Sequence, residues 1–199
     1  MSGSLITVLL LAAAVGYLVM VYNRLVSLRN RHANAFSQID VQLQRRHELI
    51  PNLVELAKEY MRHESETLTA VVEARNTASS RLKDASAAPN DPSTVNALAN
   101  AESKLGQALS GFNLVVENYP ELKADTRMAD LHQDLTSTEN RVGFARQAYS
   151  DAGMEYNTEC EKFPNLIVAR MCAFQPADLF QLENEQARDA VKISFDKAA

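Results

Sequence analysis

Tryptophan is absent from this chain of 199 residues, and cysteine (two), glycine (six) and proline (six) are scarce. So few glycines and prolines leave few places where a helix must break, which favours an all-helical protein. Cys160 and Cys172 lie twelve residues apart without a CxxC, so they read as ordinary thiols of a reducing compartment, not a redox or zinc motif. No glycine-rich loop of the phosphate-cradling kind is present. His47-Glu48 and His63-Glu64 begin like a zinc HExxH motif, but Pro51 and Thr67 stand where the second histidine is required. A Glu-x-x-His pair fails in the same way, with Ala129 at that offset before His132 and Tyr60 before His63. No metal or cofactor is therefore expected, and His32, His47, His63 and His132 are read as surface or hydrogen-bonding residues.

Charged side chains are missing altogether from the first twenty-three residues. Leu5 to Tyr22 is an 18-residue apolar run, about 27 Å long as a helix, which just spans a bilayer core. Ala12, Ala13 and Ala14 resemble a signal-peptide cleavage site, but a positive n-region is lacking and the run continues past them. Arg24, Arg29 and Arg31 follow directly. The positive-inside rule then places residues 1–4 outside and everything after residue 22 in the cytoplasm, as a single-pass protein of the cytoplasmic membrane. Ala12 and Gly16 form a small-xxx-small pair that suits packing between copies of the span. Residues 24–47 hold five arginines against Asp40, and residues 48–199 hold 15 basic against 24 acidic residues. The basic stem fits a membrane surface, and the acidic body argues against nucleic acid.

Beyond the span, apolar residues recur at helical spacing in four stretches. Leu25, Leu28, Ala35, Ile39 and Leu43 carry the first; Leu53, Ala57, Tyr60, Leu68 and Val71 the second; Leu98, Leu105, Leu109, Phe112 and Val116 the third. The fourth runs from Met128 to Phe163 in alternating steps of three and four, as in a coiled-coil seam, with Thr138 and Glu159 as its polar exceptions. "SAAPNDPST" is the clearest loop, with Ser93 or Thr94 as the expected N-cap, and the isolated glycines at 106, 111, 143 and 153 suit close helix packing. Pro51 and Pro120 each precede an apolar series and suit a first helical position. Placing helix joints at both gives an up-down four-helix bundle over residues 23–163. The rival is a long helix kinked at Pro51, because no C-capping glycine or asparagine precedes it. Residues 164–199 form a tail too apolar for a free linker, packed on the bundle or on a neighbour. In it "VKISF" alternates like a short strand, and "LFQLE" is its nearest partner for a β-hairpin.

The block "YNRLVSLRNRHANAFSQIDVQLQRRHELIPNLVELAKEYMRHESETL" (residues 22–68), followed by "ARNTAS", "ENYPELKAD", "TENRVGFARQAYSDAGMEYN" and "FPNLIVA", closely resembles the LemA family of bacterial membrane proteins. The resemblance implies an N-terminal anchor and a cytoplasmic helical domain. It implies no defined reaction, and envelope proteins or membrane proteases as partners. Phe36 stands where the family usually has tryptophan, and "ARMCAFQPADLF" lacks the usual glycine between two phenylalanines.

Polar residues interrupt the inward stripes. His32, Gln42 and Arg46 lie on that of the first helix, with Asp40 and Arg45 beside it, and Glu139, Asn140 and Arg141 flank the seam of the fourth. A helix ending before Pro51 would place Arg45, Arg46 and His47 in its last turn, where cations offset the helix dipole. Two arrangements suit the polar set: a buried network that fixes helix register, or a recognition surface for another copy or a partner protein. The functional expectation is a non-enzymatic, oligomeric scaffold or assembly component of the envelope. The alternative is a ligand-binding or enzymatic bundle using Asp40, Arg46 and Glu139.

Overall fold

The computed structural model describes residues 2–177. Its elements are α1 (Ser2–Tyr60), α2 (Ser65–Ala87), α3 (Pro92–Val116), α4 (Pro120–Ala124), α5 (Thr126–Glu161) and α6 (Asn165–Met171). No strand occurs among the described residues, and the segments expected to form a hairpin lie outside them. The apolar run is the start of α1, the one helix among the described residues that is long and apolar enough to cross a membrane. Its side chains point outward, with Leu5, Val8, Leu11 and Met20 each 65–67% exposed.

α1 continues for 59 residues, about 88 Å at 1.5 Å per residue. The joint expected at Pro51 is not there: the helix passes through it and turns at Met61 to Glu64 instead. A proline inside a helix leaves the carbonyl four residues earlier without its N–H partner. Here that carbonyl belongs to His47, and the Arg75 guanidinium of α2 donates Nε–H to it at 2.9 Å. A neighbouring helix thus restores the bond that proline removes. Met61, fully buried, anchors the turn into α2.

Pro120 does begin a helix, at the first position of α4, but α4 lasts five residues and α5 restarts after Asp125. Asp125 caps α5 by accepting from Arg127 N–H at 2.8 Å, and it accepts from Tyr60 Oη at 2.9 Å, tying the end of α1 to the start of α5. The N-cap of α3 is Asp91, not Ser93 or Thr94, because Pro92 occupies the first helical position and Asp91 accepts from Ser93 N–H at 2.9 Å.

α5 runs antiparallel to α1. Bridges pair Arg24 with Glu159, Arg31 with Glu155, Arg46 with Glu139 and Glu59 with Arg127, so numbers rise on one helix as they fall on the other. α2 and α3 pack together, and α2 also packs on α1. Apolar residues gather in three clusters along α1. The far cluster holds Leu53, Met61, Val71, Leu105 and Phe112, the middle one Phe36, Ile39, Leu43, Leu98 and Tyr149. The third, beside the apolar run, joins Val21, Leu25 and Leu28 to Tyr156, Cys160, Val168 and Ala169. Phe163, expected on the inward seam, is 82% exposed because α5 ends at Glu161. Gly106, Gly111 and Gly143 are not close-packing points either, since a Cβ at each would meet nothing within 4 Å.

Two outcomes test these joints. Arg75→Ala should destabilise the protein by about 1–3 kcal/mol, the cost of an unpaired buried carbonyl, and should cost less in a Pro51→Ala background, where the restored N–H at position 51 serves His47. Additive melts would show that Arg75 does not substitute for the missing bond. The Arg127 side chain, hydrogen-bonded to Asp125, holds that carboxyl well below the usual carboxylate range. Its stabilising effect is therefore complete above the unfolded value of about 3.9 and is lost as pH falls below that toward the folded value. Asp125→Asn should flatten the loss of thermal stability between about pH 5 and pH 2 relative to the parent.

Candidate functional site

Between the far and middle apolar clusters lies a layer of buried charge. Arg46 and His47 are consecutive on α1, and with the helix unbroken at Pro51 both point inward, 4% and 2% exposed. Arg46 Nη1 donates to Glu102 Oε2 of α3 at 3.2 Å, and Nη2 donates to Glu139 Oε1 of α5 at 3.0 Å. His47 Nε2 lies 2.7 Å from Glu102 Oε1. A carboxylate only accepts, so Nε2 carries the proton in that bond. Arg146 of α5 joins the same field. Burial lowers its pKa, the charges of Glu102 and Glu139 raise it, and that of Arg46 lowers it.

The Glu102 side chain is wholly buried, whereas that of Glu139 is 60% exposed. Two arginines face two glutamates, so the layer is close to neutral. All four long helices meet there: Arg46 and His47 from α1, Glu102 from α3, Glu139 and Arg146 from α5, and Arg75 from α2 on the His47 carbonyl.

The expected polar set divides. Arg46 and Glu139 come together. Arg45, Asn140 and Arg141 are exposed. His32 is buried in the next cluster, its ring 4.1 Å from that of Tyr149. Asp40 lines a cleft between α1 and α2 with Gln44, Arg75 and Lys83, so Asp40, Arg46 and Glu139 do not form one cluster. Gln42 is half-buried, and no hydrogen-bond partner of its Oε1 is found among the described residues. Ala12 and Gly16 lie on the outward surface of the apolar run, and a Cβ at Gly16 would meet nothing within 4 Å.

Glu102 and Arg146 were not anticipated. The signal for Glu102 is its place on the α3 stripe, four residues after Leu98 and three before Leu105, where an acid on an apolar face needs a partner. Arg146 follows the buried Ala145 on α5 and gives a weaker signal. His47 faces inward because α1 runs through Pro51, the rival arrangement, instead of ending before it.

Next to Arg46 and Glu139 is a cleft of about 120 Å³, lined also by Gly106, Asn113 and His132. It is smaller than the roughly 300–1,000 Å³ of small-molecule sites. Burial lowers the His132 pKa. Arg46 is already engaged there by two carboxylates, one from α3 and one from α5.

The sequence profile of the LemA family matches residues 35–195. The chain belongs to the LemA family. It is similar to magnetosome protein MamQ 2 of Paramagnetospirillum magneticum, 28% identical over 191 residues that cover 88% of this chain and 70% of the relative. It is also similar to magnetosome protein MamQ of Magnetospirillum gryphiswaldense, 25% identical over 190 residues with the same coverage. Family, helical fold and apolar first helix together describe a membrane-associated helical protein.

The network predicts a contrast between neighbours. Arg46→Ala should cost about 3–5 kcal/mol, the range for breaking a buried ion pair from one side, and Glu102→Ala a similar amount. Arg45→Ala should cost under about 1 kcal/mol, as for a surface charge. Melts of the detergent-solubilised protein measure this, and equal small effects at positions 45 and 46 would mean that the layer is not holding the helices.

Proposed function

We propose that this LemA-family protein is a non-enzymatic, single-pass membrane scaffold, its N-terminus outside and its helical domain in the cytoplasm. The observation that carries the reading is the unbroken α1, which makes the apolar run and the inner helix of the domain a single rod. Whatever the domain binds is held at a fixed distance and orientation from the membrane. The domain itself is an up-down four-helix bundle of α1, α2, α3 and α5, a reading supported by the antiparallel α1–α5 bridges and the α2–α3 pairing. Its buried charges neutralise one another and so act on register instead of on a substrate. The similar MamQ proteins are named as magnetosome proteins, and an assembly role is in keeping with that name. Copies associate through the spans at Ala12 and Gly16, whose face is open, and other envelope proteins or a membrane protease dock on the cytoplasmic domain.

Isolation of the intact protein from its own membrane, with measurement of its size and bound proteins, tests the scaffold. An assembly larger than a monomer is expected, and Gly16→Leu should reduce its size; a lone monomer without partners would overturn the reading. Protease added outside intact cells should leave the domain whole, and its digestion there would reverse the topology.

A further inference from the structure

α5 ends at Glu161, and the chain turns into the short α6, whose two faces differ. Val168 and Ala169 are each 4% exposed and pack against Val21 and Leu25 of α1. On the other side Phe163, Ile167 and Met171 are 82%, 49% and 76% exposed. Ile167 and Met171, four residues apart on α6, share its outward face, and Phe163 is exposed in the turn before it. Isolated apolar residues on a surface are ordinary. Three together at this level on the molecule are a different matter.

The level is set by contacts with the end of the apolar run. Tyr17 Oη donates to Asn165 Oδ1 at 3.5 Å, and the Tyr22 and Phe174 rings meet edge-to-face at 5.6 Å. Val168 and Met171 share an apolar hollow of about 270 Å³ with Leu18, Val19 and Tyr22. From Tyr17 to Tyr22 the helix rises about 7.5 Å. That matches the 5–10 Å or so by which interfacial segments sink below the headgroups. From residue 162 to 177 the only charged side chains are Lys162 and Arg170, both basic, and Arg24 and Arg29 stand at the same end of α1. Arg24 and Lys162 both bridge Glu159, and the exposed Arg29 and Arg170 suit anionic headgroups at the same level.

The orientation of α6 is fixed. Phe174 N–H reaches Ala169 O at 2.9 Å and Ala173 N–H reaches Arg170 O at 3.3 Å, with Ala173 at φ 54°, which closes the helix end and turns Phe174 back onto α1. Residue 177 is held in turn by Asn157 of α5, through bonds of 2.7 and 2.8 Å.

We propose that α6 with the turn before it is a second membrane element, and that Phe163, Ile167 and Met171 insert at the headgroup–acyl boundary of the leaflet where α1 leaves the bilayer. The proposal rests on the reading of α1 as a membrane span. It makes the anchor two-sided: α1 crosses the bilayer, and α6 rests in one leaflet and sets the rotation of the domain about the span.

The absence of tryptophan from the chain allows a direct test with single-tryptophan variants of the full-length protein in phosphatidylcholine–phosphatidylglycerol vesicles. Met171→Trp should lose emission when the lipids carry bromine at shallow acyl carbons, and Leu11→Trp when bromine lies deep. Phe144→Trp, on an exposed stretch of α5 far from the span, should respond only to aqueous acrylamide. Ile167→Trp reads the same face should Met171→Trp fail to fold. Should the α6 reporters be quenched by acrylamide and not by bromolipid, the face is in water and the proposal is overturned; shielding from both means that protein covers it and overturns it equally. In either case quenching of Leu11→Trp by deep bromine leaves the span reading intact, whereas its loss removes span and proposal together.

Discussion

The carbonyl of His47 is where this fold is decided. A proline at position 51 denies it the helical partner, and inside a protein an orphaned carbonyl is costly. α1 could end there and expose the group to water, or another part of the molecule could supply a donor. Arg75 supplies it. Once α1 continues, Arg46 and His47 become adjacent residues of a helix interior instead of cations in a frayed last turn, and both face the core. Two more elements are then drawn to the same height: α3 to provide Glu102, and α5 to provide Glu139 and Arg146. One missing hydrogen bond thus fixes the height at which the four long helices meet.

A charged layer between apolar clusters is a poor source of raw stability, because desolvation offsets most of the Coulomb gain. Its effect lies in what it disfavours. Sliding α3 by one turn along α1 would move Glu102 away from both Arg46 and His47 and put a leucine against them. The small residues of α2 and α5, among them Ala78, Ala85, Ala145 and Ala152, would tolerate many registers on packing grounds alone. The ion pairs remove that freedom. Exposure is graded within the layer as well: Glu102 is sealed while Glu139 reaches solvent, so Arg46 is held from a dry side and a wet side.

Much of this architecture was legible in the sequence. Helix content followed from the scarcity of glycine and proline, the membrane-crossing candidate from an 18-residue run without charge, and the α4 start from Pro120 after a residue outside helical geometry. The inward positions of α5 from Met128 to Tyr156 followed from spacing, with Thr138 buried as its polar exception and bonded to the Asp134 carbonyl. What was not legible depended on partners distant in sequence. Pro51 and Pro120 look alike locally, and only Arg75, 24 residues on from Pro51, separates an interior proline from an initiating one. The network was half visible for the same reason: an arginine on an apolar stripe signals a buried charge, but which acid answers it depends on how helices are set side by side. Asp40 and Glu139 were the acids set against Arg46 in the sequence, and Glu102 enters only through the placement of α3 within reach of Arg46.

The continuity of α1 carries a mechanical consequence. From Tyr22 to Tyr60 it extends about 57 Å beyond the apolar run, with no hinge, since its only proline is braced by Arg75. A rod held at one end rotates freely about its axis unless something breaks the symmetry. The bundle cannot do so, because it turns with the rod. An element that stands beside the rod and meets the lipid can, and α6 lies at the level of Tyr17 to Tyr22. On the proposed insertion of α6, this short element, expected only to pack on the bundle or on a neighbour, decides which face the domain presents along the membrane. Residues 162–177 combine exposed apolar side chains with two cations and no acid, the composition that such an orienting contact with lipid requires.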